Sequence, residues 1–135
     1  DIVAMQDSIG ALYVTMNRQE ERFQLLPAYY GALHRACART GTDLWTDIEL
    51  FEQVKGRPLD RQSFAGVAAP FARIKRQIEI EQKFVRKIVG FDSPHYFTST
   101  KIMPALAERA NTLYQAYADY VRAGNVASTS ASGAR

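Results

Sequence analysis

The sequence predicts an α/β chain: three consecutive parallel strand–helix units with helices on the outer face, forming part of a (β/α)8 barrel. Three observations predict it. Short β-prone runs at Ile2–Gln6, Leu44–Phe51 and Lys87–Phe91 are each followed by a loop and then a helical pattern. The unit recurs at a spacing of roughly 43 residues, which is too regular to ignore and, since helical solenoids share it, does not decide the fold alone. An acidic residue stands at the C-terminal end of each run: Asp7, Glu49 and Asp92. In parallel α/β folds that edge is where ligands bind.

The first strand opens the chain as Ile2-Val3-Ala4-Met5-Gln6, directly behind Asp1. The helices have matching start signals. Pro27, Pro70 and Pro104 each precede a helical run, and proline suits a first turn because its missing N–H has no intrahelical partner there. Helices are therefore predicted over 27–40, 70–85 and 104–123. Tyr30, Leu33 and Cys37 in the first, and Leu106, Leu113, Tyr117 and Tyr120 in the third, mark one buried stripe per helix. Gly41 and Gly124 stand where left-handed C-terminal caps are expected. The second strand decides against a solenoid. Side chains alternate along a strand, so Leu44, Ile48 and Leu50 should face the helices, leaving Trp45, Asp47, Glu49 and Phe51 on the other side. Two carboxylates there are costly in a dry core and natural at a barrel mouth. Residues 1–124 form the predicted barrel portion; 125–135, rich in Ala, Ser, Thr and Gly without periodicity, reads as a disordered tail.

Composition narrows the function classes. With 47% hydrophobic and 23% charged residues, the chain carries enough apolar surface to build a core. No apolar run approaches the roughly 20 residues a membrane span requires. A single Cys37 excludes an internal disulfide framework and a cysteine-based zinc site. The net charge of +3 comes from the second half of the chain, through Arg73, Lys75, Arg76, Lys83, Arg86 and Lys87. These alternate with Phe71, Ile74, Ile78 and Val85 at helical spacing, so they read as a solvated helix face, and no nucleic-acid-binding motif accompanies them.

Asp7, Glu49 and Asp92 are the candidate catalytic residues. Neighbouring strands lie about 4.8 Å apart, so carboxylates at three strand ends influence one another, and one should be harder to ionise. Glycoside hydrolysis needs that combination of acid and nucleophile or base. Asp7 and Asp92 have a plainer reading as loop caps, a common use of Asp after a strand. Glu49 has no such role inside an otherwise apolar strand. Asp47, two residues earlier on the same face, and Trp45, deeper still, read as structural support. Gln6, Tyr13, His95 and Tyr96 are candidate substrate contacts, the aromatic rings offering flat surfaces to sugars. His34 lies in a helix and reads as structural. No metal-ligand spacing, phosphate-cradling glycine loop, nucleophile elbow or Cys–His pair is present.

Three blocks together resemble a known family: Asp1-Ile-Val-Ala-Met-Gln-Asp-Ser-Ile-Gly10, Leu44-Trp-Thr-Asp-Ile-Glu-Leu-Phe-Glu52 and Ile88-Val-Gly-Phe-Asp-Ser-Pro-His-Tyr96. They are similar to the C-terminal half of the bacterial domain-of-unknown-function family 4434, regarded as glycoside hydrolases with a TIM-barrel fold. The resemblance covers roughly residues 1 to 122, and the strand Trp45-x-Asp47-x-Glu49-x-Phe51 is its most distinctive part. It implies that Gln6-Asp7, Glu49 and His95-Tyr96 line an active-site mouth. It implies a carbohydrate substrate, no cofactor, a secreted or periplasmic location, and the upstream half of the same barrel as the missing partner. Counted as the last three of eight units, the Glu49 strand becomes strand 7, which carries the nucleophile in the large clan of retaining glycosidases. Two alternatives stand beside this expectation. One is a catalytically inactive barrel that binds carbohydrate or a partner protein. The other is a metal-dependent enzyme using Asp7, Glu49, Asp92 and His95.

Overall fold

The structure, a computed structural model, describes residues 1–14, 16–53, 66–91, 96–97 and 107–124. Strands β1 (Ile2–Gln6), β2 (Asp43–Glu49) and β5 (Lys87–Phe91) form a three-stranded sheet in the order β1-β2-β5. Both pairings are parallel, with Gln6 opposite Asp47, Trp45 opposite Lys87 and Glu49 opposite Phe91. Helix α1 (Gln19–Thr40) connects the first pair and α2 (Phe71–Glu81) lies on the path to β5. Helix α3 (Ala107–Arg122) follows. The chain is thus mixed α/β with a parallel sheet and helical crossovers, as the repeating pattern predicts.

Both helices of the crossovers pack on one face. Leu44, Thr46 and Ile48 are buried and alternate with half-buried Trp45 and Asp47, the period of two expected for a strand covered on one side. Leu44 joins Phe23, Leu26 and Tyr30 of α1 in one hydrophobic cluster. Ile48 joins Ile74 and Ile78 of α2 in a second, completed by Leu113 of α3. On the opposite face Ala4, Gln6 and Lys87 are exposed.

The helix boundaries correct the sequence reading. Helix α1 starts at Gln19, not at Pro27, and Pro27 sits exposed inside it. Proline in a helix interior costs about 3 kcal/mol. Burying Phe23 and Leu26, to 5% and 0% exposure, contributes roughly 1.5–3 kcal/mol each and offsets that cost. Helix α2 ends at Glu81, and the chain continues as a turn in which Phe84 N–H donates to the Glu81 carbonyl at 2.9 Å. The expected helix over 104–123 is observed as 107–122; residues 104–106, like the tail 125–135, lie outside the described residues. Gly41 and Gly124 adopt φ of 66° and 72°, the left-handed caps expected of them.

The run Leu44–Phe51 is not one strand. Leu50 N–H still donates to Phe91 of the sheet, but its carbonyl accepts the Ala69 N–H at 3.0 Å. The chain therefore peels away into β3 (Phe51–Gln53), which pairs antiparallel with β4 (Gly66–Ala68). Phe51, expected on the open face, is 1% exposed in the core against Tyr96, with ring centroids 5.4 Å apart. Once the strand leaves the sheet, alternation no longer fixes which way a side chain points. Among the described residues no helix is long and apolar enough to cross a membrane.

Candidate functional site

Glu49 ends β2, the central strand, and a π-helical turn at Ile9–Tyr13 folds over it. Its Oε2 accepts the Gly10 N–H at 2.6 Å and the Ala11 N–H at 2.9 Å. Gly10 makes the approach possible: a Cβ there would lie 2.1 Å from the Phe51 carbonyl oxygen and 3.1 Å from Glu49 Cβ. The turn opens at Ser8, whose φ of 63° is left-handed for a non-glycine residue. Glu49 is 2% exposed. Burial pushes its pKa up to about 7, and Asp7 pushes the same way; the two N–H donors and the Arg73 charge oppose them.

Asp7 points into the helix layer. It is wholly buried; Oδ1 accepts the Ile9 N–H at 3.1 Å and Oδ2 accepts the side-chain amide of Gln77 from α2. Its backbone carbonyl accepts Arg22 Nε at 3.0 Å. Asp7 thus caps the turn that covers Glu49, the plainer of its two sequence readings. Beyond it, Thr46 Oγ1 donates to Glu81 Oε2 at 2.6 Å and contacts the Tyr30 hydroxyl.

Arg73 joins these groups. Expected in the solvated face of its helix, it is 8% exposed. Nη2 donates to the Phe51 carbonyl at 2.6 Å, Nη1 to Gln77 Oε1, and Nε lies 3.5 Å from Glu52 Oε1. Gln19 Nε2 donates to the same Glu52 oxygen at 3.2 Å and to the Ile9 carbonyl at 3.1 Å. Burial lowers the Arg73 pKa, and Glu52, Asp7 and Glu49 act against the fall. The result is a polar layer under the C-terminal ends of β1 and β2, buried at Asp7, Glu49, Arg73, Gln77 and Glu81 and half-buried at its Glu52 and Gln19 edge.

The remaining sequence candidates scatter. Gln6 is exposed opposite Asp47, on the open face of the sheet. Asp47 is half-buried, its pKa raised by burial and then by Asp7, and it forms no ion pair with a described basic group. Trp45 carries Lys87 Nζ 4.5 Å from its ring, and its buried Nε1 has no hydrogen-bond partner. Tyr13 lies under the Arg22 guanidinium at 5.1 Å, which also covers Tyr29 at 4.6 Å. Tyr96, expected against substrate, is 8% exposed and packs in the core beside Phe51. Asp92 and His95 lie outside the described residues. No group of His, Cys, Asp or Glu among the described residues is arranged to hold a metal ion. His34 Nδ1–H donates to the Phe84 carbonyl at 2.7 Å, a structural contact. A cavity of about 430 Å³ opens elsewhere, between β5, α2 and α3; Ile48, Ile74, Ile78, Ile88 and Tyr117 line it, and no carboxylate among the described residues does.

The sequence model of a family described as Domain of unknown function (DUF4434) matches residues 1–105. The chain belongs to the DUF4434 family. No curated protein and no solved structure matches it.

The DUF4434 match spans every residue of the polar layer, including four that sequence reasoning passed over: Glu52, Arg73, Gln77 and Glu81. The last three follow one another at i, i+4 and i+8 on α2, beside apolar Ile74 and Ile78. That spacing puts them on the core-facing side of the helix, and it was the available signal. The alternation of charged and apolar residues hid it, because a run of cations reads as solvated unless acids are known to meet it.

Proposed function

We propose that this DUF4434 chain is part of a carbohydrate-active enzyme that hydrolyses glycosidic bonds, with Glu49 as the working carboxyl group. In this reading the three strands are an arc of a (β/α)8 barrel, and upstream strand–helix units of the same barrel supply the rest. Three features support it. The sheet is parallel with its helices on one face; the opposite face presents Gln6, Trp45 and Asp47; and a carboxyl group ends the central strand.

Glu49 carries the proposal. Its two N–H bonds fix the carboxyl group in one orientation, and a pKa of about 7 lets it release or retain a proton near neutrality. By position it is the nucleophile: its carboxylate forms a bond to the anomeric carbon as the glycosidic C–O bond breaks. A second carboxylic acid, on an upstream strand about 5–5.5 Å away, protonates the leaving oxygen. Water then cleaves the glycosyl–Glu49 ester, giving its proton to that second group and returning both carboxyl groups to their starting states. The test is Glu49→Gln in the full gene product, assayed on a panel of polysaccharides. Turnover should fall at least about a thousandfold while the variant still unfolds in one cooperative transition. Near-normal turnover overturns the assignment.

The depth of Glu49 favours a second reading. At 2% exposure under the Ile9–Tyr13 turn, the carboxyl group can be a structural anchor in a catalytically silent barrel that binds carbohydrate or a partner protein. Oligosaccharides bound without cleavage, equally by wild type and Glu49→Gln, identify that case.

A further inference from the structure

Three carboxyl groups, Asp7, Glu49 and Glu81, are buried where β1 and β2 meet α2, and two of them are wholly inaccessible. Buried carboxylates are stable only with enough donors, so the donor inventory decides which group carries charge. Both Asp7 oxygens are occupied, by the Ile9 N–H and the Gln77 amide. Glu81 is met by hydroxyls and an acid: Thr46 Oγ1 donates to Oε2, the Tyr30 hydroxyl lies against Thr46 Oγ1 and also reaches Glu81, and Asp7 faces the same carboxyl group. Glu81 Oε1 is buried without a hydrogen-bond partner. The cations nearby are committed elsewhere, Arg73 to Phe51, Gln77 and Glu52, and Arg22 to the Asp7 carbonyl. Oε1 is therefore where a proton belongs.

We propose that Glu81 is a pH-operated clamp: protonated at Oε1 and facing Asp7, it holds the last turn of α2 on β1, β2 and α1, and its ionisation frees the turn over Glu49. The connection is short. A charge on Glu81 repels Asp7, and Asp7 anchors both Gln77 and the Ile9 N–H. The turn beginning at Ile9 supplies the two N–H groups that hold Glu49. Burial and Asp7 hold the Glu81 carboxyl well above the ordinary glutamate range, while Thr46 and Tyr30 pull the other way. Burial raises the Tyr30 phenol too, so that donor persists as Glu81 titrates. The groups facing the clamp are Asp7 after β1, Thr46 and Glu49 of β2, Tyr30 and Arg22 of α1, and Arg73 and Gln77 of α2. The clamp stands whether or not Glu49 is catalytic.

Carboxyl carbon NMR on the full chain tests the proton directly. Glu81 should titrate well above neutrality, at roughly pH 8–10; an inflection below about pH 6 overturns the proposal. Amide exchange tests the coupling. Corrected for intrinsic rates, protection of the Ile9 N–H should fall at least about tenfold between roughly pH 7 and pH 10 in wild type. Glu81→Gln, permanently neutral with an oxygen for Thr46 and an amide for Asp7, should hold that protection level. Wild-type protection that stays constant, or a Glu81→Gln variant that loses it in parallel, overturns the clamp. Should Glu81→Gln fail to fold, the wild-type titration and exchange profiles still decide.

Discussion

Arg73 donates to the backbone carbonyl of Phe51 at 2.6 Å, pinning the first turn of α2 to the point where the chain leaves the sheet. The same side chain reaches Gln77 and Glu52, so one guanidinium ties α2 to β3. Removing it takes a donor from the Phe51 carbonyl and the counter-charge from Glu52. Arg73→Met should destabilise the fold by about 3–5 kcal/mol, measured as a shift in urea unfolding. Arg73→Lys should recover only part of that, because an ammonium lacks the planar fork that serves three acceptors. A methionine variant within about 1 kcal/mol of wild type refutes the role.

Glu49 sets a pH dependence of stability. Unfolded, it releases its proton near 4.5; folded, it keeps it to about 7. Below the unfolded value both states hold the proton and the contribution is complete. Between the two values the folded state binds more protons, so stability falls as pH rises, and above the folded value the contribution is gone. The whole span is worth roughly 3 kcal/mol. Melts of wild type and Glu49→Gln from about pH 4 to about pH 8 should converge at the acid end and separate toward neutrality, the wild type falling. Parallel curves contradict this.

Two glycines should respond differently to alanine. At Gly10 a methyl group meets the Phe51 carbonyl oxygen at 2.1 Å, so the turn must move off Glu49. The expected loss is about 1–3 kcal/mol or more. At Gly41 nothing lies within 4 Å, and only the positive φ of 66° is unfavourable to alanine, at about 1 kcal/mol. Equilibrium unfolding of Gly10→Ala and Gly41→Ala ranks them; the opposite order removes the close approach as the reason for Gly10.

Pro27 is exposed within α1 and offers no packing to lose. Pro27→Ala restores an N–H to the helix and should stabilise it by about 1–3 kcal/mol. A melting temperature at or below that of wild type means the ring has a packing role outside these contacts.

The strands were legible because short runs rich in β-branched and apolar residues stand at Ile2–Gln6, Asp43–Glu49 and Lys87–Phe91, and the central one also shows the period of two that cover on one face imposes. The caps were legible because Gly41 and Gly124 serve a conformation that other residues resist. The start of α1 was not: Pro27 is a sound local signal, and the apolar stripe through Phe23 and Leu26 outweighed it only by packing on Ile9, far away in sequence terms. The antiparallel pairing of β3 and β4 was hidden for a similar reason, since Phe51 and Ala68 meet only after folding.

For the candidate site, the sequence by itself determined that acids end the strands, and Glu49 lies where that pattern put it. Only the tertiary structure decided what those acids do to one another. Asp7 turns toward Gln77, Glu49 receives the Gly10 and Ala11 N–H groups, and Arg73 and Glu81 come inward from a helix that reads as solvated. Periodicity states which face a side chain occupies, because backbone geometry fixes it locally. Ionisation depends on burial and on partners, and those arise only when distant segments close over the same polar layer.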